Sequence, residues 1–137
     1  HSEKFIPVIV NKLLKNEKIP VYGDGFQIRE WLFVEDHCDA LIKIISNGKA
    51  GENYNITDGK GITNLHLIEN ILSIMKDFSM IKNINIKDNI NFIEDRLGHD
   101  KRYAVNCEKV IRDCKWKPST SFYNGLKKTI ETIIKLN

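Results

Sequence analysis

Asp95-Arg96-Leu97-Gly98-His99-Asp100-Lys101-Arg102-Tyr103 sets seven ionisable side chains and one glycine in nine positions. A segment that charged is not a core segment, because each ionised group taken out of water needs a partner. It follows Ile90-Asn91-Phe92-Ile93, whose apolar alternation reads as a strand, and Gly98 offers a turn where that strand should stop. The charges therefore sit on a loop at a strand end. Arg96 presents a planar fork of donors suited to phosphate, and His99, three residues on, can add a neutral or charged donor to the same anion. Two readings stand at this point: an anion-binding loop and a solvated charged loop.

Downstream, Tyr103-Ala104-Val105 reads as a short strand and Asn106 as the cap of a helix with Val110 and Ile111 inward, ended at Trp116-Lys117-Pro118. Ser119-Thr120-Ser121 supplies an N-cap for a closing amphipathic helix carrying Phe122, Leu126, Ile130, Ile133 and Ile134, with Lys127 and Lys128 outward. Upstream, 78–89 is a polar connector. Thr63 is expected to cap a helix built on Leu65, Ile68, Ile71, Leu72 and Met75, which puts Asn64 beside free N–H groups that favour an anion or carbonyl ligand.

Asn53-Tyr54-Asn55-Ile56 reads as a strand and Thr57-Asp58-Gly59-Lys60-Gly61 as a loop. Glu35-Asp36 place acids at the positive end of a helix through Ala40, Leu41, Ile44 and Ile45, stopped at Gly48; His37 in its first turn reads as a packed or capping residue. The alternation over 28–34 predicts a strand in which Arg29 faces either water or a ligand. Ile19-Pro20-Val21-Tyr22 is extended and Gly23-Asp24-Gly25 is a turn. The first helix is expected over 3–16, with Ile6, Val8, Ile9, Val10, Leu13 and Leu14 on its apolar face and Pro7 tolerated near its start.

With 137 residues, 42% hydrophobic and 28% charged, the chain has the makeup of one globular region able to bury a core. A net charge of +3 is mild, far from that expected of a nucleic-acid binder with its basic stripe, and would suit a small anionic ligand. Cys38, Cys107 and Cys114 are odd in number, lack a C-x-x-C pair and fall in apolar helical patterns, so they read as reduced core residues of a cytoplasmic protein. No run of eighteen apolar residues suggests a membrane span. There is no G-x-S-x-G elbow and no H-E-x-x-H, and Gly23-Asp24-Gly25 lacks both the third glycine and the helix start of a dinucleotide fingerprint. What remains is a dispersed set of ligand groups, Lys4, Tyr22, Arg29, Asn64, Arg96 and His99, with no evident catalyst and no metal set.

Several motifs in the chain give it a family resemblance. Glu3-Lys4-Phe5-Ile6-Pro7, Pro20-Val21-Tyr22-Gly23-Asp24-Gly25 and the run from Gln27-Ile28-Arg29 through Glu35-Asp36-His37 carry it, as do Gly48-Lys49-Ala50-Gly51-Glu52, Tyr54-Asn55-Ile56, the charged loop and Gly125-Leu126-Lys127-Lys128-Thr129. Over nearly its whole length the chain resembles the C-terminal part of dTDP-glucose 4,6-dehydratases of the extended short-chain dehydrogenase/reductase superfamily. The charged loop is the most discriminating motif. The resemblance implies a mixed α/β fragment of helices with short strands, spanning 1–137, that binds the nucleotide-sugar. It also implies that the N-terminal Rossmann core, with its glycine-rich NAD loop, Tyr-x-x-x-Lys pair and acidic pair, is absent.

By the same resemblance, Lys4, Phe5, Ile6, Pro7, Val8, Ile9, Pro20, Val21 and Tyr22 line the nucleotide pocket. Arg29, Asn64, Arg96 and His99 hold the diphosphate and adjoining groups, and Asp95, Leu97 and Gly98 of the same loop belong to the substrate-binding set. The family reaction implies oxidation at the sugar C4 by bound NAD, loss of water across C5 and C6 and return of hydride to C6, by residues not in this chain. The fragment is then inactive alone, and its partners are a dTDP-glucose-like nucleotide-sugar, the NAD-binding domain and, in the complete enzyme, a second subunit of a homodimer. The helix opened by Glu35 and the Tyr54 strand would pack on the absent domain and leave an apolar face prone to self-association. This sequence departs from the family at Glu30 and Phe33 (aspartate and tyrosine), Leu97 (proline) and Thr57-Asp58 (paired glycine). UDP- or CDP-sugar enzymes, and a non-catalytic binding module, remain alternatives.

Overall fold

The computed structural model describes residues 3–137; His1 and Ser2, which open the expected 1–137 region, lie outside the described residues. The first helix, α1 (Phe5–Leu14), starts from an extended Lys4 and is left through Asn16 at φ +55°. Pro7 is its third residue, where a missing N–H leaves no helical bond unmade. The helix buries Ile9, Val10 and Leu13 against the first strand, β1 (Ile19–Tyr22).

β1 pairs in parallel with β4 (Ile90–Ile93), from Ile19 opposite Ile90 to Tyr22 opposite Ile93. Between them in the chain run β2 (Ile28–Glu30), α2 (Val34–Asn47), β3 (Gly61–Thr63), α3 (Asn64–Asp77) and the single turn α4 (Ile86–Asn89). α3 supplies the centre of the core, Leu67, Ile68, Ile71, Leu72, Ile74 and Met75, and α6 (Phe122–Leu136) closes it with Leu126 and Ile130. Burying each such side chain contributes about 1.5–3 kcal/mol, so this three-helix cover on a two-strand floor is the main source of stability. A second cluster forms where α2 meets α5 (Glu108–Cys114), around Ala40, Val110, Cys114 and Trp116.

The architecture is the expected mixture of helices and short strands, but several elements differ. The strand over 28–34 stops at Glu30, because its antiparallel partner β3 has only Gly61–Thr63 to offer and Val34 already starts α2. The expected strand at 53–56 does not form. No strand lies beside it among the described residues, Asn55 Nδ2 donates to the Asn106 carbonyl at 3.2 Å, and Tyr54 and Ile56 pack on the second cluster. The strand expected at 103–105 does not form; a single parallel bridge pairs Ile28 with Arg102 just before it. The connector at 78–89 contains α4, capped by the Asn85 side chain on Lys87 N.

Of the cysteines, Cys114 is buried and Cys107 half-buried, whereas Cys38 is exposed, contrary to the expectation that all three are core residues. The helical period explains this: Asp36 and Ala40 face inward from α2, and Cys38 lies between them on the opposite side. His37 is likewise exposed rather than packed. No helix among the described residues is long and apolar enough to cross a membrane.

Candidate functional site

The site is built where β1, the β2–β3 ribbon, the start of α3 and the loop after β4 converge. β1 is followed by Gly23, whose N–H still donates to the Ile93 carbonyl at 3.0 Å. The chain then turns through Gly25 at φ +74°, a conformation a side chain disfavours, and a Cβ there would lie 2.7 Å from Leu65 Cγ. This turn seats the N-terminus of α3: Leu65 N donates to the Gly25 carbonyl, Asn64 N to the Gln27 carbonyl, and His66 N to the Thr63 side chain. The N–H groups expected to await an anion beside Asn64 are therefore already satisfied by turn carbonyls and the cap.

Gln27 is the hidden joint of this region, only 4% exposed. Its Nε2 donates to the Tyr22 carbonyl at 3.2 Å and to Asp95 Oδ2 at 3.3 Å, and its Oε1 accepts from Asn64 Nδ2 at 3.3 Å. Sequence reasoning missed it, because a glutamine after a Gly-Asp-Gly turn carries no sign of burial.

On the charged loop, Asp95 Oδ1 accepts from Arg96 N at 2.9 Å and is 2.6 Å from His99 Nδ1, while Arg96 Nη2 is 2.9 Å from His99 Nε2. The hydrogen bond from His99 is the chief cause holding the Asp95 carboxyl below the usual carboxylate range; burial opposes it, and Arg96 N–H and Gln27 add to it. The Arg96 guanidinium stacks over Tyr22, 5.0 Å from the ring centroid, and the Tyr22 and His99 rings meet edge to face at 6.2 Å. Gly98, at φ +71°, makes the turn that folds His99 back toward Asp95. Arg29 pins the far end of the loop. It donates to the Ile28 and Asp100 carbonyls at 2.7 and 2.8 Å and lies over the Tyr103 ring, with further N–H groups of its fork left for a ligand.

These elements enclose a cleft of about 600 Å³ lined by Glu3, Lys4, Phe5, Val8, Pro20, Tyr22, Arg29, Glu30, Trp31, Asn64, Arg96 and His99. The expected residues Lys4, Phe5, Val8, Pro20, Tyr22, Arg29, Asn64, Arg96 and His99 are thus brought together. Others fall elsewhere for reasons of periodicity. Ile9 and Val21 are fully buried core residues, since helix and strand alternation turn them away from the faces that carry Val8, Pro20 and Tyr22. Ile6 lines a small neighbouring cavity near Trp31 and Phe122, and Pro7 a shallow groove with Phe33 and Val34. Asp95 stands behind His99, and Leu97 projects wholly into solvent at the loop tip, next to Gly98.

Glu3, Glu30 and Trp31 join the cleft without having been expected there. Glu30 is turned toward Thr57, whose hydroxyl donates to its Oε2 at 2.6 Å, so it supports the wall more than it opposes the cations.

Chemically, the cleft offers aromatic and aliphatic surface from Phe5, Val8, Pro20, Tyr22 and Trp31 beside the cations Lys4, Arg29 and Arg96. That pairing fits a flat ring joined to an anion. No group of three or more metal-ligating side chains is assembled among the described residues. Gly23-Asp24-Gly25 leads from one strand to another rather than into a helix N-terminus, so this turn forms no cradle for a pyrophosphate.

A family model described as GDP-mannose 4,6 dehydratase matches residues 1–129. Among curated relatives, a dTDP-glucose 4,6-dehydratase of Haemophilus influenzae is 39% identical over 134 residues, covering 96% of this chain and 40% of its own length. One of Neisseria gonorrhoeae is 42% identical over 132 residues, covering 94% of this chain and 38% of its own. Among solved structures, the dTDP-glucose 4,6-dehydratase of Bacillus anthracis in complex with NAD superposes with a TM-score of 0.86 at 37% identity, over 98% of this chain and 40% of that one. The chain therefore spans about two fifths of the length of the relatives it matches.

Proposed function

The chain belongs to the GDP-mannose 4,6 dehydratase family, and we propose that it is the nucleotide-sugar-binding region of a dTDP-glucose 4,6-dehydratase, a cytoplasmic lyase that converts dTDP-glucose to dTDP-4-keto-6-deoxyglucose for deoxysugar synthesis. The observation that carries the reading is the convergence of Tyr22, Arg29, Asn64 and Arg96, from four separate segments, on one cleft. Tyr22 offers the pyrimidine a ring face, and Arg29 and Arg96 offer the diphosphate planar, permanently charged forks.

In this reading the chain contributes binding and no catalytic group. NAD is held by a dinucleotide-binding domain that is not made by these residues, and the complete enzyme is a homodimer. The outer face of α2, where Val34, Leu41, Ile42 and Ile45 are exposed, is the surface that such a domain would cover.

Calorimetric titration of the chain with dTDP, UDP and CDP tests the binding half: dTDP is expected to bind most tightly, and equal or absent binding of all three defeats it. A dehydratase assay of the chain alone with dTDP-glucose and NAD is expected to give no product, and turnover would refute the division of labour.

A further inference from the structure

The structure assigns His99 and Asp95 to positioning Arg96 rather than to holding the ligand: Asp95 fixes His99 as a neutral ring protonated on Nδ1, and the bare Nε2 anchors the arginine over Tyr22. The assignment rests on the proposed nucleotide site for its purpose, but its geometry stands independently. A guanidinium nitrogen is always a donor, so the 2.9 Å approach of Arg96 Nη2 to His99 Nε2 requires a lone pair on Nε2. The ring's one proton is then on Nδ1, where it donates to the Asp95 Oδ1 carboxylate oxygen in a short bond of 2.6 Å. This is the tautomer a free histidine side chain disfavours, and it is selected here by a carboxylate on one side and a cation on the other.

Asp95 is itself fixed. Its Oδ1 also takes the Arg96 N–H, and its Oδ2 takes Nε2 of the buried Gln27, which in turn is bonded to Asn64. The chain Asn64–Gln27–Asp95–His99–Arg96 thus couples the start of α3 to the guanidinium. The His99 side chain is 7% exposed and both its nitrogens are engaged, so it has no donor left to give an anion. Arg96, by contrast, spends one donor on His99 and keeps the rest of its fork. A freely rotating arginine would lose side-chain entropy on gripping a phosphate; one already anchored loses less.

Two measurements on the full 137-residue chain test this. Nitrogen-15 NMR of the His99 ring, without any ligand, should show Nδ1 protonated and Nε2 bare; a ring protonated on Nε2 alone, or on both nitrogens near neutral pH, overturns the assignment.

Thymidine diphosphate is then titrated into the unmodified chain, Arg96→Ala, His99→Ala, His99→Gln and the Arg96→Ala/His99→Ala double variant. His99→Ala should weaken binding at least fivefold alone but less than twofold in the Arg96→Ala background, since a positioning residue has nothing left to position. His99→Gln, whose side-chain oxygen can still accept from Arg96, should recover most of the loss. Fully multiplicative losses, or a glutamine variant no better than alanine, would make His99 a ligand contact in its own right. If the unmodified chain fails to bind thymidine diphosphate, the nucleotide reading fails, while the ring tautomer still decides the positioning assignment.

Discussion

Asp36 Oδ1 accepts hydrogen bonds from Ser119 N at 2.9 Å and from Ser119 Oγ at 2.8 Å, and its second oxygen accepts from Thr120 N at 3.1 Å. One carboxylate in the first turn of α2, 4% exposed, thereby ties that helix to the turn that launches α6. Removing it leaves several donors without partners. Asp36→Ala should therefore lower stability by about 2 kcal/mol or more, read as a shift of the urea midpoint at unchanged m-value. A midpoint equal to that of the unmodified chain would show the turn to be held by other contacts.

The same carboxylate sets a pH dependence. Burial alone would raise the Asp36 pKa, but the bonds from Ser119 and Thr120 outweigh it and hold the group below the usual range; Asp95 is also held low, chiefly by His99. A depressed folded-state pKa contributes stability that is complete above the unfolded value, about pH 4, and is lost as pH falls through the lower folded value. Thermal unfolding should thus show Tm nearly flat from neutral pH to about 5 and falling below about 4, with a shallower acid slope in Asp36→Asn. An identical slope in that variant would place the acid sensitivity elsewhere.

Gly125 sits inside α6 directly over Phe33, and a Cβ there would meet Phe33 Cβ at 2.9 Å and Cγ at 3.1 Å. Alanine would favour the helix by about 1 kcal/mol, but overpacking costs about 1–3 kcal/mol, and the obstructing atoms are near the Phe33 backbone where little can yield. Gly125→Ala should be destabilising on balance by about 1 kcal/mol in a thermal melt; an increase in Tm would mean that α6 slides without loss.

Arg96→Ala removes the fork that overhangs Tyr22. If the cleft holds a diphosphate, dTDP affinity should fall about tenfold or more, as for loss of a charge-assisted phosphate contact. The far-UV spectrum and Tm should hardly change, because Arg96 is exposed and, among the described residues, its side chain rests on Tyr22 and His99 rather than in the core. Unchanged affinity in calorimetry would return the loop to a solvated surface element.

The parts of this fold that were legible in the sequence are those fixed locally. Thr63 caps α3 as its residue type suggests, and the extended segment at Ile19–Tyr22 and the alternation at Ile90–Ile93 correspond to two real strands, although nothing in either segment says that they pair with each other in parallel. Tyr54-Asn55-Ile56 has the composition of a strand and lacks a neighbour to pair with, a property no local pattern records. In the site, charge and residue type pointed to Arg29, Arg96 and His99. Gln27, which ties Asp95 to Asn64 and the Tyr22 carbonyl, was invisible because its place comes entirely from burial between segments distant in the chain. His99 was legible as a candidate site residue, but its contacts with Asp95 and Arg96 were not, since they depend on how the loop folds back at Gly98.

The outer face of α2 gives the last test. Ile42 and Ile45 are 61% and 85% exposed, and Val34 and Leu41 extend the same apolar stripe at intervals of three, four and seven residues. An isolated chain presenting such a face should associate with itself as concentration rises. Replacing both isoleucines by lysine removes the attraction and adds like charge to the face. It should not harm the helix, because lysine has the higher helix propensity and neither isoleucine belongs to either core cluster. Sedimentation velocity should therefore show concentration-dependent association in the unmodified chain and a monomer in Ile42→Lys/Ile45→Lys, at equal or higher Tm. Association that persists in the double variant would move the contact off α2 and remove the reason for regarding that face as the one a further domain covers.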